Sequence, residues 1–186
     1  MTEWTLKDGE RLDDLVRDGM RLIQRPDQFC FSVDSVLLAH YVKPKAKDRI
    51  ADLGTGTGVI SLLVSALGGR DITAFEVNPV MADLARRNIA GNGKEDQIHV
   101  VECDYRKVNE RFPSGSFSLV LANPPYREMG TGKMSRLEGV ASASYEMNAS
   151  LTDVFKTAQY LLKYGGRRAM VQRADSTGDL TAIGRA

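Results

Sequence analysis

The stretch RIADLGTGTG, from Arg49 to Gly58, decides the fold of this 186-residue chain. It begins as a short apolar run, which is typical of a buried strand, and it ends in three glycines separated by threonines. The apolar segment from Val59 to Leu67 follows at once and is predicted to be a helix. Glycines before a helix N-terminus let a ligand approach the backbone closely. The stretch therefore predicts a strand–turn–helix unit with a ligand site at the turn.

Two features of this turn distinguish between nucleotide ligands. The glycines run G-x-G-x-G, whereas a dinucleotide site typically reads G-x-G-x-x-G. Asp52 precedes them, where it would repel a pyrophosphate and would suit a cofactor with a cationic amino-acid end. Glu76 ends the next predicted strand, Asp71 to Phe75, at about the 20-residue spacing of an acid that binds ribose hydroxyls. Together these features favour S-adenosylmethionine over a dinucleotide.

Strands and helices alternate along the rest of the chain. A helix is predicted to begin at Asn78-Pro79 and to end at Gly91, and another to begin near Ser150 and to end at Gly165-Gly166. The further predicted strands are Gln97 to Val101, Phe117 to Ala122 and Arg167 to Val171. This order predicts an α/β fold with a Rossmann-like, doubly wound, mostly parallel sheet.

Polar residues or glycine follow the predicted strands at the same end. In parallel sheets ligands bind outside the carboxyl ends of the strands. We therefore expect four residues to converge on one site: Gly54, Glu76, Asp104 and Asn123.

The run Asn123-Pro124-Pro125-Tyr126 follows the strand from Phe117 to Ala122. Its prolines lack N–H donors, so the wall that they form offers mainly acceptors, the Asn123 side-chain oxygen and the Pro124 carbonyl. Tyr126 adds a flat ring. Two acceptors beside a stacking surface suit a planar group that carries an amine. The alternative is an ordinary Pro-Pro turn after an edge strand.

The composition fits a water-soluble globular protein. The chain is 42% hydrophobic and 26% charged, with a net charge of +1, so no global basic field indicates nucleic-acid binding, although a local patch would suffice. Cys30 and Cys103 are interpreted as free thiols in a reducing cytoplasm. His40 and His99 have no metal-ligand spacing, and we expect no metal. No apolar run is long enough to span a membrane, and oligomeric state is not predicted.

These residues resemble those of class I S-adenosylmethionine-dependent methyltransferases that act on amino groups. DLGTGTG is similar to their cofactor loop and NPPY to their catalytic motif. The segments Arg11 to Leu15 and Phe29 to Asp34 narrow the resemblance to bacterial tRNA(Val) adenine-N6-methyltransferases, which modify the adenine beside the anticodon, at position 37. The resemblance covers Glu10 to Val171, and it implies tRNA, through its anticodon loop, as partner.

The resemblance implies roles for individual residues, which we state as expectations. The catalytic residues are Asn123, Pro124 and Tyr126. The cofactor-binding residues are Phe31, Asp34, Asp52, Gly54, Thr55, Gly56, Gly58, Glu76, Asp104 and Asn123. The substrate-binding residues are Pro125, Tyr126, Arg127, Lys133 and Arg136.

One methyltransferase domain is expected over residues 1–186, with an N-terminal segment (1–45), a Rossmann-like core (46–173) and a tail (174–186). The sheet is expected to lack the last two strands of the class I fold, as in a fragment or a minimal version. Two alternative functions stay open: a protein-glutamine N5-methyltransferase, which presents the same acceptors to an amide, and a truncated cofactor-binding protein without activity.

Overall fold

The computed structural model describes residues 4–28, 30–124 and 150–171. The strands are β1 (Arg11–Asp14), β2 (Arg21–Gln24), β3 (Arg49–Leu53), β4 (Asp71–Glu76), β5 (Ile98–Glu102), β6 (Phe117–Ala122) and β7 (Leu162–Met170). The helices are α1 (Val33–Tyr41), α2 (Val59–Ala66), α3 (Pro79–Gly91) and α4 (Leu151–Leu161), with a 3₁₀ segment at Tyr105–Glu110. Over the described residues, none of the helices is long and apolar enough to cross a membrane.

Five strands form one parallel sheet in the order β5-β4-β3-β6-β7. The predicted parallel α/β fold is thus confirmed. Leu53 at the end of β3 pairs with Phe75 of β4 on one side and with Ala122 of β6 on the other. This register brings the segments that follow β3, β4 and β6 to the same edge of the sheet.

Apolar side chains cover both faces of the sheet. On one face, Leu38 of α1 and Leu62 of α2 are fully buried in a cluster with Ile72. On the other face, Val154 and Leu161 of α4 lie in a cluster with Phe75, Phe117 and Val120. Because side chains of a strand alternate between faces, β3, β4 and β6 each contribute to both clusters, which is the doubly wound arrangement that their continuous apolar runs predict.

The N-terminal segment contains an antiparallel hairpin of β1 and β2 before α1. Side chains of α3 occupy the outer edge of β2. Asn88 Oδ1 accepts from the Ile23 N–H (2.6 Å), and Asn88 Nδ2 donates to the Ile23 carbonyl (3.0 Å). Asn92 makes the same pair of bonds with Arg21. Two asparagines spaced one helical turn apart thus replace a neighbouring strand and dock the hairpin on α3.

The predicted boundary between α4 and the last strand was wrong. Gly165 and Gly166 do not end the helix; α4 ends at Leu161 and β7 begins directly after it. Residue Leu162 already has extended dihedrals (φ −75°, ψ 131°) and pairs with Phe117. The next pair, Leu119 with Arg167, leaves an irregularity in the ladder, and Gly165 takes a φ of +72° within it. The glycines therefore permit a bulge in the strand.

Candidate functional site

A cavity opens at the carboxyl ends of β3, β4 and β6, where the sequence predicts a ligand site. Its volume is about 960 Å³, including the part open to solvent. Its walls come from the glycine turn, the ends of these strands, the start of α1, the 3₁₀ segment and α4.

The glycine turn is held against the end of β4. The N–H groups of Gly54 and Thr55 both donate to the Phe75 carbonyl, at 3.0 and 2.9 Å. Gly54 has a φ of +70° and Gly56 a φ of +59°, in the left-handed region that favours glycine. A Cβ built on Gly54 meets no other protein atom within 4 Å. The turn therefore presents open backbone toward the cavity.

Asp52 lies beneath the turn. It is fully buried, and its Oδ2 accepts hydrogen bonds from the hydroxyls of Thr55 and Ser61, both at 2.7 Å. Burial raises the pKa of its carboxyl, and the hydroxyl groups only partly oppose that shift. Its Oδ1 is buried without a hydrogen-bond partner among the described residues. The position of Asp52 fixes the shape of the turn, and the residue is absent from the cavity lining.

Glu76 faces the cavity from the end of β4. The Gly56 N–H donates to its Oε2 (2.8 Å) and the Asn78 N–H donates to its Oε1 (2.9 Å), and only 2% of the residue is exposed. Each carboxylate oxygen accepts more than one hydrogen bond. The carboxylate is therefore fixed in place by the backbone and can still receive two vicinal hydroxyls.

Asp104 and Arg106 form a second charged part of the lining. Arg106 Nε lies 2.9 Å from both carboxylate oxygens of Asp104, its Nη2 lies 2.6 Å from Oδ2, and its N–H donates to Oδ1 at 2.9 Å. These hydrogen bonds hold the pKa of Asp104 below its ordinary value. The carboxylate is therefore an ionised acceptor whose orientation Arg106 sets.

Asn123 and Pro124 form the wall after β6. Asn123 Nδ2 donates to the hydroxyl of Ser35 (3.0 Å), a buried residue of α1 that also lines the cavity. The amide nitrogen is bound to Ser35, and the chemical group that the Asn123 side chain carries beside it is an acceptor oxygen. The side chain is thus oriented by a helix that is distant in sequence.

The structure describes eleven of the predicted site residues and brings eight of them together in one cavity. The following residues line the cavity: Phe31, Gly54, Thr55, Gly56, Glu76, Asp104, Asn123 and Pro124. Asp34, Asp52 and Gly58 are absent from the lining; Gly58 is the residue before α2 and lies against Ala85 of α3. Pro125, Tyr126, Arg127, Lys133 and Arg136 lie outside the described residues, so their roles stay predictions.

Several lining residues were not predicted, and two of them, Ser35 and Arg106, form hydrogen bonds with predicted site residues. Ser35 looked like an ordinary residue of a short helix, and its pairing with Asn123 joins positions 88 residues apart. Arg106 had a local signal, since it stands two residues after an acid at the end of a strand and such a pair commonly forms a hydrogen-bonded turn. Met81 and Val154 also line the cavity, but their apolar character indicated only helix cores.

The lining fits S-adenosylmethionine. Glu76 offers a fixed carboxylate with acceptor capacity for hydroxyl groups, and Asp104 offers an ionised carboxylate with acceptor capacity for an amino group. Between them the wall is largely apolar, with Leu53, Ile60 and Met81. The open backbone at Gly54 leaves space for a ligand directly against the turn. The donor and acceptor pattern is that of a nucleoside site.

Comparison with known proteins gives a consistent result. The sequence profile described as "Methyltransferase small domain" matches residues 20–178. A tRNA1(Val) (adenine(37)-N6)-methyltransferase of Shewanella amazonensis is 34% identical over 114 residues, which are 61% of this chain and 48% of that protein.

Two solved structures are similar in fold. A predicted O-methyltransferase of Agrobacterium tumefaciens superposes with a TM-score of 0.60 at 28% identity, over 81% of this chain and 66% of that one. A geranyl diphosphate C-methyltransferase of Streptomyces coelicolor, crystallised with S-adenosyl-L-homocysteine, has a TM-score of 0.56 at 16% identity, over 81% of this chain and 52% of that one. The chain spans about half the length of the curated relatives that it matches, from 39% to 61% among the first four.

Proposed function

Because this chain belongs to the methyltransferase small-domain family, we propose that it transfers a methyl group from S-adenosylmethionine to the exocyclic N6 amine of an adenine in tRNA. The family is one of S-adenosylmethionine-dependent methyltransferases, which confirms the cofactor expected from the glycine turn and Glu76. The observation that carries the proposal is the Asn123 amide, oriented by Ser35 at the end of β6 and adjoining the cofactor cavity.

The chemistry requires positioning more than proton transfer. An adenine amine is a weak nucleophile because its lone pair is delocalised into the ring. S-adenosylmethionine supplies a methyl group on a positively charged sulfur, and this activates it toward transfer. Asn123 Oδ1 and the Pro124 carbonyl would accept the two amine hydrogens and favour a more tetrahedral nitrogen. These two acceptors would orient the nitrogen toward the cofactor cavity. The activation barrier for methyl transfer would then be lowered by orientation and electrostatics.

The substrate is inferred from the relatives. Several curated relatives carry the name tRNA1(Val) (adenine(37)-N6)-methyltransferase. An anticodon-loop adenine is already partly unpaired, so moving it into a cavity costs less than opening a duplex. Tyr126 would stack on that base, and Arg127, Lys133 and Arg136 would meet phosphates. We place this reaction in the cytoplasm, with Cys30 and Cys103 as free thiols.

The test is methyl transfer to an unmodified tRNA transcript, with N6-methyladenosine as the product measured. Asn123→Ala removes one of the two acceptors and leaves the glycine turn untouched. We expect the rate of transfer to fall roughly 10²–10³-fold, as when one oriented polar group is removed from other enzymes. Affinity for S-adenosylhomocysteine should change little. Ser35→Ala should give a smaller loss, because it releases the amide without deleting it.

A parental rate for Asn123→Ala would show that the sequence after β6 is only a turn. A peptide with a glutamine side chain, assayed in parallel, separates the amide substrate from the adenine substrate. Transfer to the peptide and none to any tRNA would replace the adenine proposal with the protein-glutamine alternative.

A further inference from the structure

The segment between Val42, which caps α1, and β3 is a basic connector of residues 43–48. Lys43, Lys45 and Lys47 alternate along it and are exposed. None of the three lysine side chains forms an ion pair with a described residue. The one acid of the connector, Asp48, is buried and points inward. The connector therefore presents three exposed lysines that pair with no acid in the part of the chain that the structure describes.

The charge of Asp48 is neutralised by Arg167 of β7. Asp48 accepts from the Ser118 hydroxyl (2.8 Å), from the Lys45 N–H (2.8 Å) and from Arg167 Nη2 (2.6 Å). Arg167 of β7 also donates to the Val42 carbonyl at 3.5 Å. These hydrogen bonds join the connector to β6 and β7. They therefore fix the backbone from which the lysine side chains extend.

Helix α1 connects this basic end to the cavity. Its start adjoins the cavity, since Ser35 and the preceding Phe31 line it, and only Val42 separates its last residue, Tyr41, from the connector. The outer face of α1 carries Val33, Leu37 and Tyr41, which are 71%, 61% and 78% exposed. Residues spaced by four share one helix face. An apolar and aromatic stripe about 13 Å long therefore runs from the cavity to the lysines.

We propose that the outer face of α1 and the basic connector form the surface on which the RNA strand next to the target adenine binds. This inference rests on the proposed function and extends it to a location. The lysines would meet phosphates, and Tyr41 would stack on a base while Val33 and Leu37 contact bases or riboses. A chain of net charge +1 lacks a global attraction for RNA, so a local surface must supply it. Unpaired lysines beside an exposed ring match a polyanion with flat bases.

The test compares two double variants that remove equal charge. Lys45→Ala with Lys47→Ala alters the connector. Arg111→Ala with Lys156→Ala removes two exposed cations from the other face of the sheet, where α4 and the 3₁₀ segment lie. Binding of an unmodified tRNA(Val) transcript is measured across a salt series. Affinity for S-adenosylhomocysteine and the thermal midpoint of each variant report on the fold.

We expect the connector variant to reduce the slope of log affinity against log salt by about 1.4, since each phosphate contact on a single strand contributes about 0.7. Affinity at 0.1 M salt should fall roughly 10- to 25-fold, with the control variant near the parental value. Tyr41→Ala should weaken binding roughly fivefold or more and Tyr41→Phe should not, because the stacking face remains.

Equal slopes for the connector and control variants would overturn the proposed surface and leave the methyl-transfer proposal intact, since that proposal is tested through Asn123. Absence of salt-dependent binding by the unaltered chain, together with transfer to a glutamine peptide, would overturn both.

Discussion

At the scale of single residues, Asp52 has the most unusual environment of the described carboxyl groups at the site. Its burial raises its pKa above the ordinary 3.8. A carboxyl whose pKa is higher in the folded than in the unfolded state makes folding less favourable as pH rises through that interval. Asp52→Asn removes this titration. The free energy of unfolding of the variant, relative to the parent, should therefore increase with pH above about 4, by about 1.4 kcal/mol for each pKa unit of the shift.

Urea unfolding of both proteins at a series of pH values measures this difference. Asp52→Ala is the companion variant: it removes the same titration and also deletes the acceptor of Thr55 and Ser61, so its free energy of unfolding should lie about 1–3 kcal/mol below that of Asp52→Asn at every pH. Parallel pH profiles for the parent and Asp52→Asn would show that the carboxyl titrates in the fold as it does in water.

The environment of the Asp52 side chain could not be predicted from the sequence. Its place before the glycines predicted a cofactor-binding acid, but Asp52 lies within β3 and its buried side chain does not line the cavity. The sequence does not reveal whether such an acid faces a ligand or lies beneath the backbone, because that depends on partners such as Ser61, nine residues away. Glu76 and Asp104 were easier to predict, since both follow strands that end at the cavity. Asn123 was predicted, but the helix residue that orients it was not.

At the scale of secondary-structure elements, Asn88 of α3 links three parts of the molecule. It is fully buried, and besides its two bonds to Ile23 of β2 it donates to the Thr57 carbonyl of the glycine turn (3.0 Å). Asn88→Ala would leave buried backbone groups of the hairpin and the turn without partners. Each such group costs about 1–3 kcal/mol, so we expect a loss of about 3 kcal/mol in the free energy of unfolding.

Asn92→Ala is the matched control, because Asn92 makes the same two bonds to Arg21, which lies two residues before Ile23 in β2 and is exposed. Water can replace those bonds, so the loss should be about 1 kcal/mol or less. Equal losses measured by urea unfolding would mean that burial does not determine the strength of this docking.

The elements from β3 to α3 could be predicted to within a residue or two, because strong local signals mark them: an apolar run, a glycine turn and the Asn78-Pro79 helix start. The hairpin and β7 could not. The outer edge of β2 is occupied by side chains of a helix more than 60 positions away, and the sequence of α3 shows only an amphipathic pattern. Glycines commonly end a helix, but Gly165 and Gly166 permit a bulge within β7. Whether such glycines end a helix or lie in a strand depends here on the pairing of β7 with β6, which is distant in sequence.

At the scale of the whole molecule, S-adenosylhomocysteine should stabilise the fold. A ligand at 100 times its dissociation constant adds about 2.7 kcal/mol, which corresponds to a rise in thermal midpoint of roughly 5–10 °C for a chain of this size. Gly54→Ala should reduce that rise. Its new Cβ meets no other protein atom within 4 Å and extends into space that the ligand needs.

Gly93→Ala is the control for backbone strain. Gly93 has a φ of +62°, close to the +70° of Gly54, and its Cβ also meets no other protein atom within 4 Å, but it lies in the turn between α3 and β5. Both variants should lose about 1–2 kcal/mol without ligand. Only Gly54→Ala should respond less to the ligand; an equal response from both would place the ligand away from this turn.

The strand order predicts the sequence in which the backbone amides of the molecule exchange with solvent. β3 has a hydrogen-bonded strand on each side, with two strands on either flank, and Ile50, Ala51 and Asp52 are completely shielded from solvent. Amide hydrogens in such a position exchange with solvent deuterium only when the whole domain unfolds, whereas those near element ends exchange by local fraying. The glycine turn is continuous with β3. The floor of the cavity is thus expected to be the last part of the chain to take up deuterium, and the hairpin among the first.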